Sequence, residues 1–322
     1  MACSSSSSGS SGYGSGGQSS GPVRRASHSG SWYSDSAKEL NRQLESWLNQ
    51  VSSRHAPARA VIAPHAGYAY CGSTAAHAYK QIDPERIKRI FILGPSHHVC
   101  LSGCALTACS KYRTPLYDLH IDQRCNQELL STGAFEVMDW KTDESEHSIE
   151  MHLPFIAKVM ESRRSDSFAV VPVLVGSLTL SKQMSFGKIF AKYIADPHNL
   201  FVISSDFCHW GQRFHFTPFD RSCNQEIHQH IESLDREAMT IIETMNPQAF
   251  NDYLKRTQNT ICGRHPICVM LQAAEHFRQM NNHRADFRFI NYSQSNLCRS
   301  MSDSSVSYAA GTLVIRPKNE PR

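Results

Sequence analysis

No two cysteines in this chain stand as CxxC, which leaves a structural zinc ribbon without its ligand spacing. The eleven cysteines are odd in number and irregularly spaced, and Cys71 and Cys268 sit in apolar contexts. That pattern reads as buried or free thiols rather than as a disulfide framework. No apolar run approaches the roughly 18 residues that a membrane span needs. The N-terminus lacks the apolar stretch of a secretion signal, so the expected compartment is the cytoplasm, with the nucleus also open to the protein. Lysine and arginine are scattered, and a net charge of +4 over 322 residues is mild. Neither feature suits a nucleic-acid binder.

What is present begins with serine and glycine. Ten Ser and six Gly fall within the first 21 residues. Such a stretch buries too little apolar surface to fold, and residues 1–23 are expected to form a flexible tail. Residues 24–322 remain, with no internal repeat and no convincing linker, and are expected to form one domain. About 300 residues can bury roughly three quarters of the extended chain's surface.

Residues 61–70, VIAPHAGYAY, set the pattern for the rest. A short apolar run from Ala60 to Ala63 stops at Pro64 and delivers His65 into a turn. Proline bars a central strand from continuing, and Gly67 lets the backbone turn back without steric cost. The spacing predicts a helix over 37–51, carrying Leu40, Leu44, Trp47 and Leu48 on one face, and another over 73–81. Strands are predicted at 89–93, in a strand-rich stretch 105–112, and at 168–175, a nearly unbroken β-branched run that suits burial on both faces. Further strands are expected at 200–204, 287–292 and 305–315. Helical pattern appears over 123–132, 181–196, 221–234, 237–244 and 247–256, and from Pro266 to about 280. Strands alternating with helices predict an α/β fold with a largely parallel central sheet flanked by helices.

Three predicted strands end in polar clusters: His65, then His97 and His98, then Asp206 and His209. In an open parallel sheet these would share the carboxyl edge, where ligands bind. Taken singly, each histidine is an ordinary hydrogen-bonded residue; the recurrence is the signal. Two imidazoles plus one anionic ligand make a common mononuclear site for iron, copper or zinc. The candidate anions are Asp206, Glu150 and the thiolate of Cys262. Cys262 and His265, three apart at a helix start, could point the same way, with the helix N-terminus lowering the thiol pKa; spacing alone favours the plainer reading, a buried thiol and a helix-capping histidine. In 146–155, His147, Glu150 and His152 are expected to share a face. The charged runs at 111–113 and 163–164 read as solvated.

APHAGY, ILGPSHH, EHSIEMHLPF, SSDFCHWG and ICGRHP, with SHSGSWY before and DSSVSYAAG after, resemble the Memo family, the mediators of ErbB2-driven cell motility. The resemblance spans residues 24–316. It implies the fold of class III extradiol dioxygenases, which are non-haem iron enzymes, and a pocket built on His65, His97 and Cys262. Asp206 and His209 match a nearby acid/base pair, and His147 a pocket histidine. A thiolate replaces the carboxylate that the dioxygenases give their iron, favouring copper(I) or a shifted iron potential over ring opening. The resemblance implies binding of a phosphotyrosine-bearing segment of an ErbB2-like receptor tail and relay to cytoskeletal signalling proteins. It also implies copper or iron handling, zinc being the weaker candidate. The second reading is a metal-dependent oxidoreductase.

Overall fold

The computed structural model describes residues 21–164, 167–220, 222 and 225–318. The expected tail lies mostly outside the described residues. Its end, however, is held: Val23 pairs with Lys111, and the Ser110 hydroxyl donates to the Gly21 carbonyl at 2.6 Å.

Among the described residues the strands are β1 (Val23–Arg24), β2 (Ala60–Ala63), β3 (Arg89–Pro95), β4 (Cys104–Leu106), β5 (Lys111–Tyr112), β6 (Leu119–His120), β7 (Phe135–Val137), β8 (Ala169–Val175), β9 (Asn199–Ser204), β10 (His209–Trp210), β11 (His283–Gln294) and β12 (Ser305–Pro317). At the centre β2, β9, β3 and β8 lie side by side and parallel. Antiparallel strands extend this core on both sides. β12 pairs with β2 and carries β10 and β11, while β4 joins β8 and has β7 parallel beside it. β1, β5 and β6 form a small separate sheet.

The parallel strands are apolar along their length because both faces are covered. Successive residues alternate between two cores, as a two-residue period requires. Ile62, Phe91, Val173 and Ile203 face one way, toward Phe190, Ile242, Phe250 and Leu271. Those partners belong to helices Leu180–Ala195, Ile227–Glu243, Pro247–Thr257 and Arg264–Met280. Val61, Ile92, Val170 and Val202 face the other way, toward Leu44, Ala75 and Phe155 on helices Ala37–Asn49, Tyr68–Tyr79 and Leu153–Val159. The architecture is therefore α/β, a central sheet between two helical layers. Phe91 stacks on Phe201 at 4.7 Å inside the first core, and truncating either ring would cost about 3–5 kcal/mol.

Three boundaries differ from the sequence pattern. The helix after β2 starts at Tyr68 rather than 73, with Gly67 as its N-cap. The helices predicted at 221–234 and 237–244 are one, Ile227–Glu243; no proline or glycine breaks it, and Asp235 at the expected gap is fully buried. The last two strands are longer than expected and form an antiparallel hairpin, so the sheet is parallel only at its core.

Candidate functional site

Parallel pairing puts the ends of β2, β9 and β3 along one edge. Past β2, His65 is 2% exposed and its backbone N–H donates to Asp206 Oδ1 at 2.9 Å. At the end of β9, Ser204 spends its single hydroxyl proton on the Ser148 carbonyl at 2.7 Å. His65 Nδ1, 2.6 Å from that oxygen, must then be the donor. The ring is fixed with an unprotonated Nε2 turned toward Cys262 Sγ, 3.3 Å away.

His97, past β3, is set by a second carboxylate. Its backbone N–H donates to Glu146 Oε2 at 2.7 Å and its Nδ1 to Oε1 at 2.9 Å. Burial alone would raise the Glu146 pKa; the hydrogen bonds and charge of His97 prevail and hold it down to about 2. Close approach of the 146–149 turn to β3 needs Gly94, where a Cβ would stand 2.6 Å from Ser148 Oγ.

Cys262 occupies the turn before helix Arg264–Met280. Its sulfur accepts from the Asp206 backbone N–H at 3.2 Å. A Cβ on the next residue, Gly263, would lie 2.3 Å from the Ser204 carbonyl oxygen, so only glycine lets this turn reach β9. The thiol is the buried one that spacing favours, not one activated by the helix start: burial and the neighbouring Asp206 push its pKa well up. His265 does not join the site either, since its Nδ1 accepts from the Leu178 N–H at 3.3 Å.

The structure thus brings His65, His97 and Cys262 together, their ligand-type atoms all within 4.8 Å of one another. Of the three, His65 and His97 line a cavity of about 530 Å³, with Asp206, His209, His147, Trp32, Arg213 and Phe214. Burial pushes the Asp206 carboxyl up to about 6, against the pull of His209. His209 Nδ1 faces the Phe207 and Thr260 carbonyls at 2.9 and 3.1 Å, so it carries the ring proton. His147 stacks on His97 at 4.4 Å and, through burial and the His97 charge, falls to about 4.

Glu150 leaves the list of candidate ligands. It is fully buried and bonded to Arg24 Nη1 at 2.7 Å, the Tyr33 hydroxyl at 2.8 Å and the His28 N–H at 2.8 Å. His152 parts from His147 as well, meeting the Tyr79 hydroxyl at 2.6 Å in the core. Tyr112, in a run expected to be solvated, is buried against Asp143. The pattern gave no role to Glu146 and Ser204, though both lie in the motifs that carry the resemblance. His97, Glu146 and His147 form a second compact trio, but Glu146 is already committed to hydrogen bonds. All nine cysteines among the described residues are free thiols, and no described helix is long and apolar enough to cross a membrane.

Comparison with known proteins places the chain in a family. The chain is 61% identical over 292 residues to human Protein MEMO1, covering 91% of this chain and 97% of that one. It is 60% identical over 295 residues to the Caenorhabditis elegans Protein memo-1 homolog, covering 92% and 83% respectively. An uncharacterized Escherichia coli K12 protein of known crystal structure aligns over 78% of this chain and 98% of its own at 13% identity, with a TM-score of 0.45. The family model described as Memo-like protein matches residues 24–312, and the chain belongs to that family.

Proposed function

We propose that this is a Memo-type cytoplasmic signalling protein, relaying receptor tyrosine kinase signals to the cytoskeleton through a pocket that holds iron or copper. The observation behind the metal is the donor set at one sheet edge: two imidazoles and a sulfur, their ligand-type atoms mutually within 4.8 Å. The surroundings fit such an ion. Ser204 and Glu146 each hold an Nδ1–H, leaving both Nε2 atoms free to bind, which is how ligating histidines are oriented and made more basic. Sulfur with imidazole suits copper(I) or iron better than hard cations. An ion here would supply Lewis acidity or one-electron chemistry.

The residues around the donors suit a phosphotyrosine side chain at the pocket mouth. Arg213 offers donors to phosphate oxygens, and Trp32 and Phe214 offer faces to the ring. Support for an ErbB2-like receptor tail as the source rests on family resemblance. The alternative, a metal-dependent oxidoreductase, draws on one observation: the two histidine donors share a cavity with His209 and Asp206, which would hold or move protons there.

Protein purified without tag or chelator should contain iron or copper, and His65→Ala, His97→Ala and Cys262→Ala should lose it. Unchanged metal in these variants removes the centre. Phosphorylated receptor-tail peptide should bind and its unphosphorylated form should not; equal binding sinks the signalling reading. Oxygen uptake with a catechol or reduced copper would favour the oxidoreductase.

A further inference from the structure

At the far end of β12 the surface changes character. β12 runs antiparallel to β2, pairing Gly311 with Ile62 and Leu313 with Ala60. Val306, near its start, lines the metal-capable pocket, while Arg316 extends past the amino end of β2. Ten residues of strand separate them, roughly 33 Å at the usual rise.

Arg316 opens onto a groove of about 660 Å³ formed with Arg54, His55 and the first half of β11. Along β11, Arg284, Asp286 and Arg288 alternate onto one face. The hairpin register sets Arg284 directly opposite Arg316, and like charges facing each other across a ladder are destabilising. Neither guanidinium has a hydrogen-bond or ion-pair partner among the described residues. Among the described residues the Arg54 guanidinium has one hydrogen bond, from its Nε to the Ser52 hydroxyl at 3.1 Å. The single carboxylate in the lining, Asp286, is shared between Arg288 at 3.6 Å and His55 at 3.9 Å. Four guanidiniums therefore meet one carboxylate in a concave site. Phe289 and Ile290, at the bulge where the β11–β12 register shifts, give the groove an apolar side.

We propose that this groove binds a small polyanion carrying two or more phosphate groups. Guanidinium forks match phosphate oxygens two at a time, so one such ligand would satisfy donors that now have no partner and neutralise the Arg284–Arg316 repulsion. A lone orthophosphate reaches too few of the four. The same chemistry occurs in soluble polyphosphates and nucleotides and in phosphoinositide headgroups. The site is independent of the metal centre and of the signalling reading.

The test is calorimetric titration of the full chain at low salt with tripolyphosphate, ATP and orthophosphate, alongside sedimentation with phosphatidylcholine vesicles with and without phosphatidylinositol bisphosphate. Tripolyphosphate should bind more tightly than orthophosphate by at least about tenfold, and Arg284→Gln/Arg316→Gln should weaken it by at least about tenfold, the scale of one lost charge-assisted bond. The same charge change elsewhere, Arg124→Gln/Arg278→Gln, should leave affinity within about twofold, its effect being only screened long-range charge. Without ligand, Arg284→Gln should melt higher than wild type because a facing like-charge pair is gone, which also shows that the variant folds. Vesicle binding together with soluble binding assigns a headgroup source; soluble binding alone assigns a free ligand. Vesicle binding alone, no tripolyphosphate binding, or equal loss in both double variants overturns the proposal.

Discussion

His65 Nε2 and Cys262 Sγ meet at 3.3 Å although 197 positions separate them in the chain. The contact exists because β2 and β9 are parallel neighbours and the turn carrying Cys262 packs on the end of β9. Its chemistry depends on a third residue, Ser204, whose one proton is committed to Ser148 and so dictates which nitrogen of His65 is bare.

Ser204→Ala should separate positioning from ligation. The variant leaves His65 Nδ1 and the Ser148 carbonyl without their partner, a loss of about 1–3 kcal/mol in stability. His65 would be free to place its proton on Nε2. Copper affinity, measured by competition against a chelator, should fall about 10–100-fold, as for other residues that orient metal ligands. Unchanged affinity would show that Ser204 does not set the tautomer.

Gly263→Ala should act through the backbone. Its Cβ would lie 2.3 Å from the Ser204 carbonyl oxygen and from Ser205 Cβ, so the Cys262 turn must move away from β9. A loss of about 1–3 kcal/mol is expected from the overpacking, with metal affinity falling alongside. Gly133→Ala is the comparison: its φ is +71° with nothing within 4 Å of the new Cβ. It should cost about 1–2 kcal/mol of backbone strain and leave metal affinity as it was. Equal effects on metal from both variants would remove the positional argument.

These relationships mark where sequence reasoning works and where it stops. The strands were legible because burial on both faces leaves long apolar runs, as in Ala169–Val175, and proline and glycine mark where β2 must end. The strand-end histidines were legible for the same reason. Glu150 was not, because its partner Arg24 lies 126 positions upstream and only the fold brings β1 beneath the Glu146–Met151 turn. Spacing favours a buried thiol at Cys262 and the structure agrees; its neighbour Asp206, 56 positions upstream, is what the sequence does not show. Serine at 204 carries no signal by type; its role comes from two hydrogen bonds to distant segments.

Glu150 makes the acid limb of stability predictable. Burial pushes its pKa up, but hydrogen bonds from His28 and the Arg24 charge prevail and hold it down to about 2, below the ordinary 4.5. A depressed carboxylate stabilises the fold above the unfolded value and loses that contribution as pH falls toward the folded one, here between about 4.5 and 2. The shift is worth roughly 3 kcal/mol. Asp143, in the same cluster, is pushed up by burial against Arg24 and works in the opposite direction, so the variant difference is the informative quantity. Glu150→Gln should be about 3–5 kcal/mol less stable at neutral pH, leaving Arg24 short of charge. In urea titrations its stability should also fall less steeply than wild type between about pH 4.5 and 2, the remaining slope coming from carboxylates such as Glu146 that are likewise held down; a slope equal to wild type would refute the assignment.

Asp235 should give the opposite pH dependence. It is fully buried on helix Ile227–Glu243, accepting from the Asn259 amide at 3.1 Å, the Tyr292 hydroxyl at 2.9 Å and the Cys208 N–H at 3.1 Å. No ion pair to it exists among the described residues. Burial therefore outweighs the hydrogen bonds and raises its pKa from 3.8 to about 6. The native state holds this proton more tightly than the unfolded chain does. Its stabilising contribution is complete below about 3.8 and is lost as pH climbs through about 6, a change of roughly 3 kcal/mol. Asp235→Asn is neutral at every pH and should remove that decline, so the stability difference between variant and wild type should shift in the variant's favour from pH 4 to pH 7. Urea midpoints at the two pH values measure it directly, and a difference that stays constant would mean that Asp235 is ionised in the folded protein throughout.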